Sequence, residues 1–198
     1  NQIISEELEK VGAEKINDLW YYNEEQIEIT FFIRSDDPVR KSIGEILSSE
    51  LERVGFKVNK DYGDLNKAFV VVYGSNPADQ KWHIYTEGWG SSGFAKYDSV
   101  GLAQMYSPWF SNMPGNNDPT YWNYKNDYID SITKKIYVSD FASAEERSML
   151  IKQATKEGVN ESVRIFLASK TDQYVANNDV DGIINALGAG VPTRFTTI

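Results

Sequence analysis

The apolar positions change period twice in the first third of the chain. Residues 27–33 read Ile-Glu-Ile-Thr-Phe-Phe-Ile, a β-branched and aromatic run of strand length. Directly afterwards the spacing becomes helical, with Val39, Ile43, Ile46, Leu47, Leu51 and Val54 on one stripe. Asp37 can accept from the first unpaired helical N–H groups, and Pro38 has no N–H to leave unpaired. Together they predict a helix start at Pro38. Gly55 predicts its end through a left-handed cap. Phe56-Lys-Val58 then predicts a short strand. Strand, helix and strand with tight connections form a βαβ unit with a right-handed crossover. Ile27–Ile33 and Phe56–Val58 are therefore expected as parallel neighbours, with the helix Pro38–Val54 on one face.

The alternation continues along the chain. Ser5 to Lys15, with Leu8, Val11 and Ile16 at helical spacing, predicts a short helix. Trp20-Tyr-Tyr follows, and Asn23-Glu-Glu reads as a turn. Asp64 to Tyr73 predicts a helix, although Val70-Val-Val suits a strand equally well. Trp82 to Thr86 is a predicted strand. Tyr106 to Trp122, rich in Pro, Asn and Gly, predicts a long surface loop. Asp127 to Val138 and Ser143 to Glu157 predict helices, the second opened by a Ser143 and Glu146 capping box. Val163–Ala168 and Gln173–Ala176 predict short strands. Neither repeats nor low-complexity tracts occur, so the expectation is one compact α/β unit over residues 1–198.

The segment from Trp82 to Asp98 carries the candidate chemistry. A strand breaks there into a loop with Gly88, Gly90 and Gly93 that still bears Trp89, Phe94 and Tyr97. Large aromatics on a glycine-rich loop suit a concave site where flat faces meet a ligand. The plainer alternative is that Trp89 covers a neighbouring helix. Trp89, Gly90, Ser91, Ser92, Tyr97 and Asp98 are the candidate ligand-binding residues, with Trp109 and Trp122 nearby in sequence.

Composition narrows the functional classes. Hydrophobic residues make up 41% and charged residues 25% of the 198, ordinary for a globular protein. A net charge of −9 and a pI near 4.7 repel phosphate backbones, so no nucleic-acid partner is expected. Without cysteine there is neither a disulfide nor a thiol nucleophile. No apolar run approaches the about 20 residues of a membrane-spanning helix. His83, the one histidine, stands in a predicted strand, where a hydrogen-bonded structural role is favoured over a general base. Ser91 and Ser92 do not fit a G-x-S-x-G elbow, and Gly188-x-Gly190 lacks the third glycine of a dinucleotide loop. Asn177-x-Asp179-x-Asp181-Gly182 matches half a calcium loop, but Gly188 stands where the bidentate Glu belongs. No catalytic residue, metal or cofactor is expected. Spacing alone leaves a carboxylate pair for glycoside hydrolysis open.

Several segments in order resemble one lobe of the family 5 extracellular solute-binding proteins, the oligopeptide- and dipeptide-binding type that serve ABC importers. Glu6-Glu-Leu-Glu-Lys-Val-Gly12 followed by Trp20 and Ile27-Glu-Ile-Thr is similar to the family's short helix leading into a lobe strand. Asp37-Pro-Val-Arg-Lys-Ser-Ile with Leu51-Glu-Arg-Val-Gly-Phe-Lys-Val58 resembles its helix and L-x-x-x-G-[IF]-x-V pattern. Trp82 to Trp89 matches a strand ending in a cleft Trp. Asp130–Val138, the helix after Ser143, Arg164-Ile-Phe-Leu and Val180-Asp-Gly182 resemble the closing elements. The resemblance implies a periplasmic-binding-protein-like (type II) lobe with a mixed sheet flanked by helices, cut from a longer two-lobed receptor. It implies an extracellular or periplasmic protein, anchored through parts outside this chain, that binds a peptide or oligosaccharide and delivers it to an ABC permease.

One departure bears on the ligand. In the peptide-binding members an Asp three residues after the cleft Trp holds the ligand's α-ammonium; here that position is Ser92, and Asp98 is the nearest substitute. Oligosaccharide-binding members need only aromatic faces and hydroxyl or amide groups, so both ligand classes stay open. A secreted glycan- or peptide-acting hydrolase and a purely structural surface domain are the rival readings.

Overall fold

The structure, a computed structural model, describes residues 2–89, 97–110, 112–169, 173, 175 and 177–179. The chain divides into two units, Asn1–Gly88 with Pro114–Asn123, and Trp89–Met113 with Tyr124–Ile198.

The first unit opens with helix α1 (Gln2–Lys10) and an antiparallel meander of β1 (Glu14–Ile16), β2 (Leu19–Tyr22) and β3 (Glu25–Gln26). Its two turns are Asn17-Asp18, at φ 50° and 66°, and Asn23-Glu24, at φ 50° and 68°. Two successive left-handed residues give the type I′ geometry, whose twist matches that of paired strands. The helix expected to reach Lys15 therefore stops at Lys10, and Glu14–Ile16 pairs as a strand instead. Trp20, 1% exposed, ties the meander down: its indole Nε1 donates to the Val54 carbonyl at 3.0 Å and its backbone N–H to the Gly55 carbonyl at 2.9 Å.

The expected βαβ unit follows. β4 (Glu28–Arg34) leads through α2 (Pro38–Val54) to β5 (Lys57–Gly63), and β4 and β5 pair in parallel from Glu28↔Lys57 to Arg34↔Gly63. Asp37 Oδ1 accepts from the Val39 and Arg40 amides at 2.9 and 3.1 Å, and Gly55 closes the helix at φ 112°. The helix face against the sheet is narrower than the apolar stripe predicts. Gly44, Ser48 and Val54 are buried, whereas Val39 and Ile46 are exposed. Gly44 has a steric reason: a Cβ there would come within 2.7 Å of the Ile33 side chain.

α3 (Leu65–Ala68) runs on into one π turn, Phe69–Tyr73, so the helical expectation for this stretch holds over the strand alternative. It packs on the opposite sheet face from α2, where Phe32 clusters with Ala68, Val72, Tyr73, Trp82 and Tyr85. The alternation of Phe32 with Phe31 and Ile33, all three fully buried, supplies both faces of the central strand. β6 (Ile84–Tyr85) completes the order β5-β4-β6 and is parallel to β4. The strand expected over Trp82–Thr86 is thus two residues long, but side chains extend its ladder. The Thr30 amide donates to His83 Nδ1 at 2.8 Å, and the Arg34 amide to Thr86 Oγ1 at 2.9 Å. His83 is the hydrogen-bonded structural residue its position suggests. Among the described residues, parallel and antiparallel pairings lie in separate sheets.

The second unit is helical among its described residues: α4 (Tyr97–Tyr106), α5 (Asp127–Val138) and α6 (Ala144–Glu161). α4 has no counterpart in the sequence reading. α5 has the expected bounds, with Asn126 Oδ1 accepting from the Tyr128 and Ile129 amides at 3.0 Å. α6 starts where Ser143 and Glu146 place it; Ser143 Oγ accepts from the Glu146 amide at 3.1 Å. Ile132, Ile136, Leu150 and Ala154 form the core, flanked by Leu102, Phe141 and Ile151. The expected loop from Tyr106 to Trp122 contains a 3-10 turn at Pro119–Tyr121, capped by Asp118.

Val163–Ala168 does not form the expected strand. Ile165, Phe166 and Leu167 are exposed there, and no backbone among the described residues pairs with them; strand-forming residues make a strand only where a partner lies alongside. The expected strand Gln173–Ala176, the half calcium loop at 177–182, Val180-Asp-Gly182 and Gly188-x-Gly190 lie wholly or partly outside the described residues.

Candidate functional site

In an open parallel sheet, ligands bind beyond the carboxyl ends of the strands, where connections leave to opposite sides. In the first unit that point is β4: α2 leads to β5 on one side, and the route through α3 leads to β6 on the other. The residues at and just beyond these strand ends are Arg34, Asp36, Tyr85, Thr86, Glu87 and Gly88.

Arg34 is buried although charged, its side chain 9% exposed. Its Nε and Nη2 donate to Asp36 Oδ1 and Oδ2 at 2.7 and 2.9 Å, and Nη1 donates to the Tyr85 hydroxyl at 3.2 Å. The two-point carboxylate bond raises the arginine's proton affinity further and lowers the Asp36 pKa below its usual range. Tyr73, from the π turn, donates its hydroxyl to Glu87 Oε1. The Tyr73 and Tyr85 rings meet edge to face at 6.2 Å. Arg40, in the first turn of α2, pairs through Nε with Asp37 Oδ2 at 3.3 Å. Its guanidinium lies across the backbone at Gly88, where an added Cβ would sit 2.4 Å from Nη2. Charges of both signs, held by neighbours and flanked by two tyrosines, suit recognition of a polar solute. Sequence reasoning missed Arg34, Arg40, Tyr73, Tyr85 and Glu87. The available signal was position: Arg34, Tyr73 and Glu87 end or follow a predicted strand or helix, Tyr85 is the last residue but one of a predicted strand, and Arg40 stands in the helix turn after β4.

The sequence-predicted residues fare unevenly. Trp89 is half-buried, and within the second unit the Arg164 guanidinium lies over its ring at 5.4 Å from the centroid. Arg164 is itself held: Nε donates to the Met105 carbonyl at 2.6 Å and Nη2 to the Asn112 carbonyl at 3.1 Å. Tyr97 and Asp98 form the start of α4. Gly90, Ser91 and Ser92 lie outside the described residues. Trp109 packs edge-on against Phe110 and Tyr137, with Lys134 Nζ 5.6 Å from its ring centroid. Trp122 follows the 3-10 turn of the first unit. Among the described residues no group of three or more His, Cys, Asp or Glu side chains is placed to hold a metal. No described helix is long and apolar enough to cross a membrane.

Solved structures share this architecture. NikZ from Campylobacter jejuni, in complex with Ni(L-His), matches 82% of this chain and 30% of its own at a TM-score of 0.60 and 17% identity. The oligopeptide-binding protein AppA from Bacillus subtilis, in complex with a nonapeptide, matches 79% of this chain and 29% of its own at a TM-score of 0.55 and 18% identity. The fold is periplasmic-binding-protein-like. A nickel ABC transporter protein from Bacillus halodurans agrees, with a TM-score of 0.58, 14% identity, and 81% and 30% of the two chains covered. The α/β class and the likeness to solute-binding proteins expected from the sequence hold at the level of the fold. The chain spans about 30% of the length of these solved proteins. No protein-family model matches the sequence, and no curated protein does.

Proposed function

We propose that this chain is a ligand-binding lobe of an extracellular solute-binding protein of the family 5 type, which captures a peptide or oligosaccharide and delivers it to an ABC permease. The supporting observation is the match in fold to receptors solved with a nonapeptide and with a nickel–histidine complex, joined to a polar cluster at the carboxyl ends of a parallel sheet. The lobe belongs to a longer two-lobed receptor outside the cytoplasm, anchored by parts beyond this chain. Binding closes two walls on the solute without making or breaking a bond. Trp89, pinned by Arg164, supplies a stacking face. Gly90, Ser91, Ser92, Tyr97 and Asp98 supply backbone and side-chain hydrogen bonds.

The full-length protein should retain peptides or oligosaccharides from mixed pools in equilibrium dialysis and leave them chemically unchanged. Turnover of either pool would favour the hydrolase alternative. Trp89→Ala should weaken binding of the retained solute about tenfold, roughly 1.4 kcal/mol. Because Arg164 rests on the ring, the melting temperature should fall as well. Lower stability with unchanged affinity would make Trp89 a packing residue only.

A further inference from the structure

Three buried side chains of the second unit have one hydrogen too few between them. Ser107 closes the last turn of α4, its amide donating to the Ala103 carbonyl at 2.9 Å. Its side chain is buried together with those of Asp130 and Thr133 on α5, and Asp130 is 8% exposed. Thr133 Oγ1 donates to the Ile129 carbonyl at 2.8 Å, with the Asp130 carbonyl a second acceptor at 3.2 Å. Ser107 Oγ lies 2.9 Å from Thr133 Oγ1. Thr133 has no second hydrogen, so Ser107 is the donor in that contact. The Ser107 hydroxyl also stands in hydrogen-bonding reach of the Asp130 carboxyl. Three contacts thus share two hydroxyl hydrogens. An ionised carboxylate only accepts, so it leaves one contact unmade or takes the Ser107 hydrogen from Thr133. A neutral carboxyl supplies the missing hydrogen. The bonds then run one way, from Asp130 to Ser107 to Thr133 to the Ile129 carbonyl, and each donor is used.

The surroundings do little for the ion. Asp130 forms no ion pair among the described residues, and its Oδ1 has no hydrogen-bond partner among them. Lys125 pairs with Asp127 Oδ1 at 2.7 Å, and Lys134 Nζ lies over the Trp109 ring, so both favour the ion only weakly; Asp127 disfavours it. Tyr106 of α4, Tyr124 before α5 and Glu161 of α6 share the same interior and bring no positive charge. Burial outweighs these influences and favours the neutral acid. We propose that Asp130 is a proton-operated clasp, whose neutral carboxyl donates to Ser107 and seats the end of α4, and whose ionisation as pH rises loosens that helix. Folding raises the carboxyl's affinity for its proton. The clasp is therefore complete below the unfolded-state pKa and lost as pH rises through the folded one. Arg164 holds the same end of α4 through the Met105 carbonyl at 2.6 Å and stays charged throughout, so its hold does not follow pH. α4 begins with Tyr97 and Asp98, which brings the proton's effect to two candidate ligand-binding residues. The clasp itself is independent of what the lobe binds.

The test uses the full-length protein with its aspartate carboxyl carbons labelled and assigned by NMR, and follows amide hydrogen exchange of α4 over the same pH series. The Asp130 carboxyl should titrate above the usual carboxylate range. Protection of the Leu102–Tyr106 amides, corrected for the intrinsic pH dependence of exchange, should fall about tenfold or more with the same midpoint. Asp130→Asn, whose amide donates at every pH, should remove the step and keep α4 protected throughout. Arg164→Ala should lower protection by the same factor across the series, the mark of a hold that no proton operates. A wild-type carboxyl that titrates in the ordinary range would overturn the proposal, and that measurement needs no variant to fold. A raised titration with no matching step in α4 exchange would overturn it too, leaving Asp130 a buried acid that clasps nothing. So would a step that survives in Asp130→Asn.

Discussion

Both units bury polar side chains, but they differ in which kind. The first fills its sheet with Phe31, Phe32 and Ile33, none of which is exposed, and buries the hydroxyls of Ser48 and Thr86 and the guanidinium of Arg34, which is paired with Asp36. The second buries a carboxyl group. Asp130 and Thr133 of α5 and Ser107 after α4 are all buried, with Ser107 Oγ and Thr133 Oγ1 2.9 Å apart, and Asp130 Oδ1 has no hydrogen-bond partner among the described residues. An apolar core is forgiving of solution conditions and sensitive to volume. A core with a carboxyl group in it is sensitive to pH as well.

The largest effect should come from volume in the first unit. Phe32→Ala removes the ring that joins Ala68, Val72, Tyr73, Trp82 and Tyr85. It should cost about 3–5 kcal/mol in urea unfolding. A loss below about 1 kcal/mol would mean that the α3 side of the sheet is not the packed core described. Next is Arg164 in the second unit, whose donors serve the Met105 and Asn112 carbonyls under the cover of Trp89. Arg164→Ala should destabilise by about 2 kcal/mol, and Arg164→Lys should recover less than half of it. Full rescue by lysine would reduce the contact to simple charge.

A smaller change tests the pH contrast directly. Burial raises the Asp130 pKa above the usual carboxylate range, with a Ser107 hydrogen bond opposing the shift. A folded-state value above the unfolded one gives stability that is full below the unfolded pKa and lost as pH rises through the folded one. Asp130→Asn should therefore raise the melting temperature near neutrality and flatten the decline between the carboxylate range and neutrality. An unchanged pH profile would place the charge in water. Smallest is Glu24→Gly in the β2–β3 turn. Glu24 sits at φ 68°, a conformation glycine adopts without penalty, so the variant should gain about 0.5–1 kcal/mol. A loss would show that the turn is not type I′.

What could be read in advance follows the same division. The β4–α2–β5 unit was legible because three local signals agreed: a strand-length apolar run, the Asp37-Pro38 start and the Gly55 stop. α6 was legible from its Ser143 and Glu146 capping box; α5 was expected over its observed bounds, but its Asn126 cap went unread. The meander was legible only at its second turn, Asn23-Glu24, because Leu8, Val11 and Ile16 imitate a helix and the first turn, Asn17-Asp18, is a pair without the usual glycine. α4 was hidden for another reason. Its sequence Tyr-Asp-Ser-Val-Gly-Leu-Ala-Gln-Met-Tyr has a central glycine and little amphipathic contrast, so packing rather than pattern makes it a helix. Val163–Ala168 erred in the other direction, since strand propensity says nothing about whether a partner exists. For the candidate site, the glycine-rich stretch after β6 drew notice to Trp89. The Tyr73–Glu87 pair and the Tyr85 contact to Arg34 escaped because they span 14 and 51 positions.

Rungs of a β-ladder are ordinarily indifferent to heredity, since every residue but proline brings the same amide and carbonyl. At either end of β6 that indifference is lost. Thr30 and Arg34 find their acceptors in the ring of His83 and the hydroxyl of Thr86, so a point change in the gene can delete a rung without touching the backbone. The imidazole serves only when its Nδ1 carries a lone pair, which fixes the hydrogen on Nε2 whenever the ring is neutral. The strand that precedes Gly88 and Trp89 is thus anchored by two side chains that a comparison of backbones alone would never count.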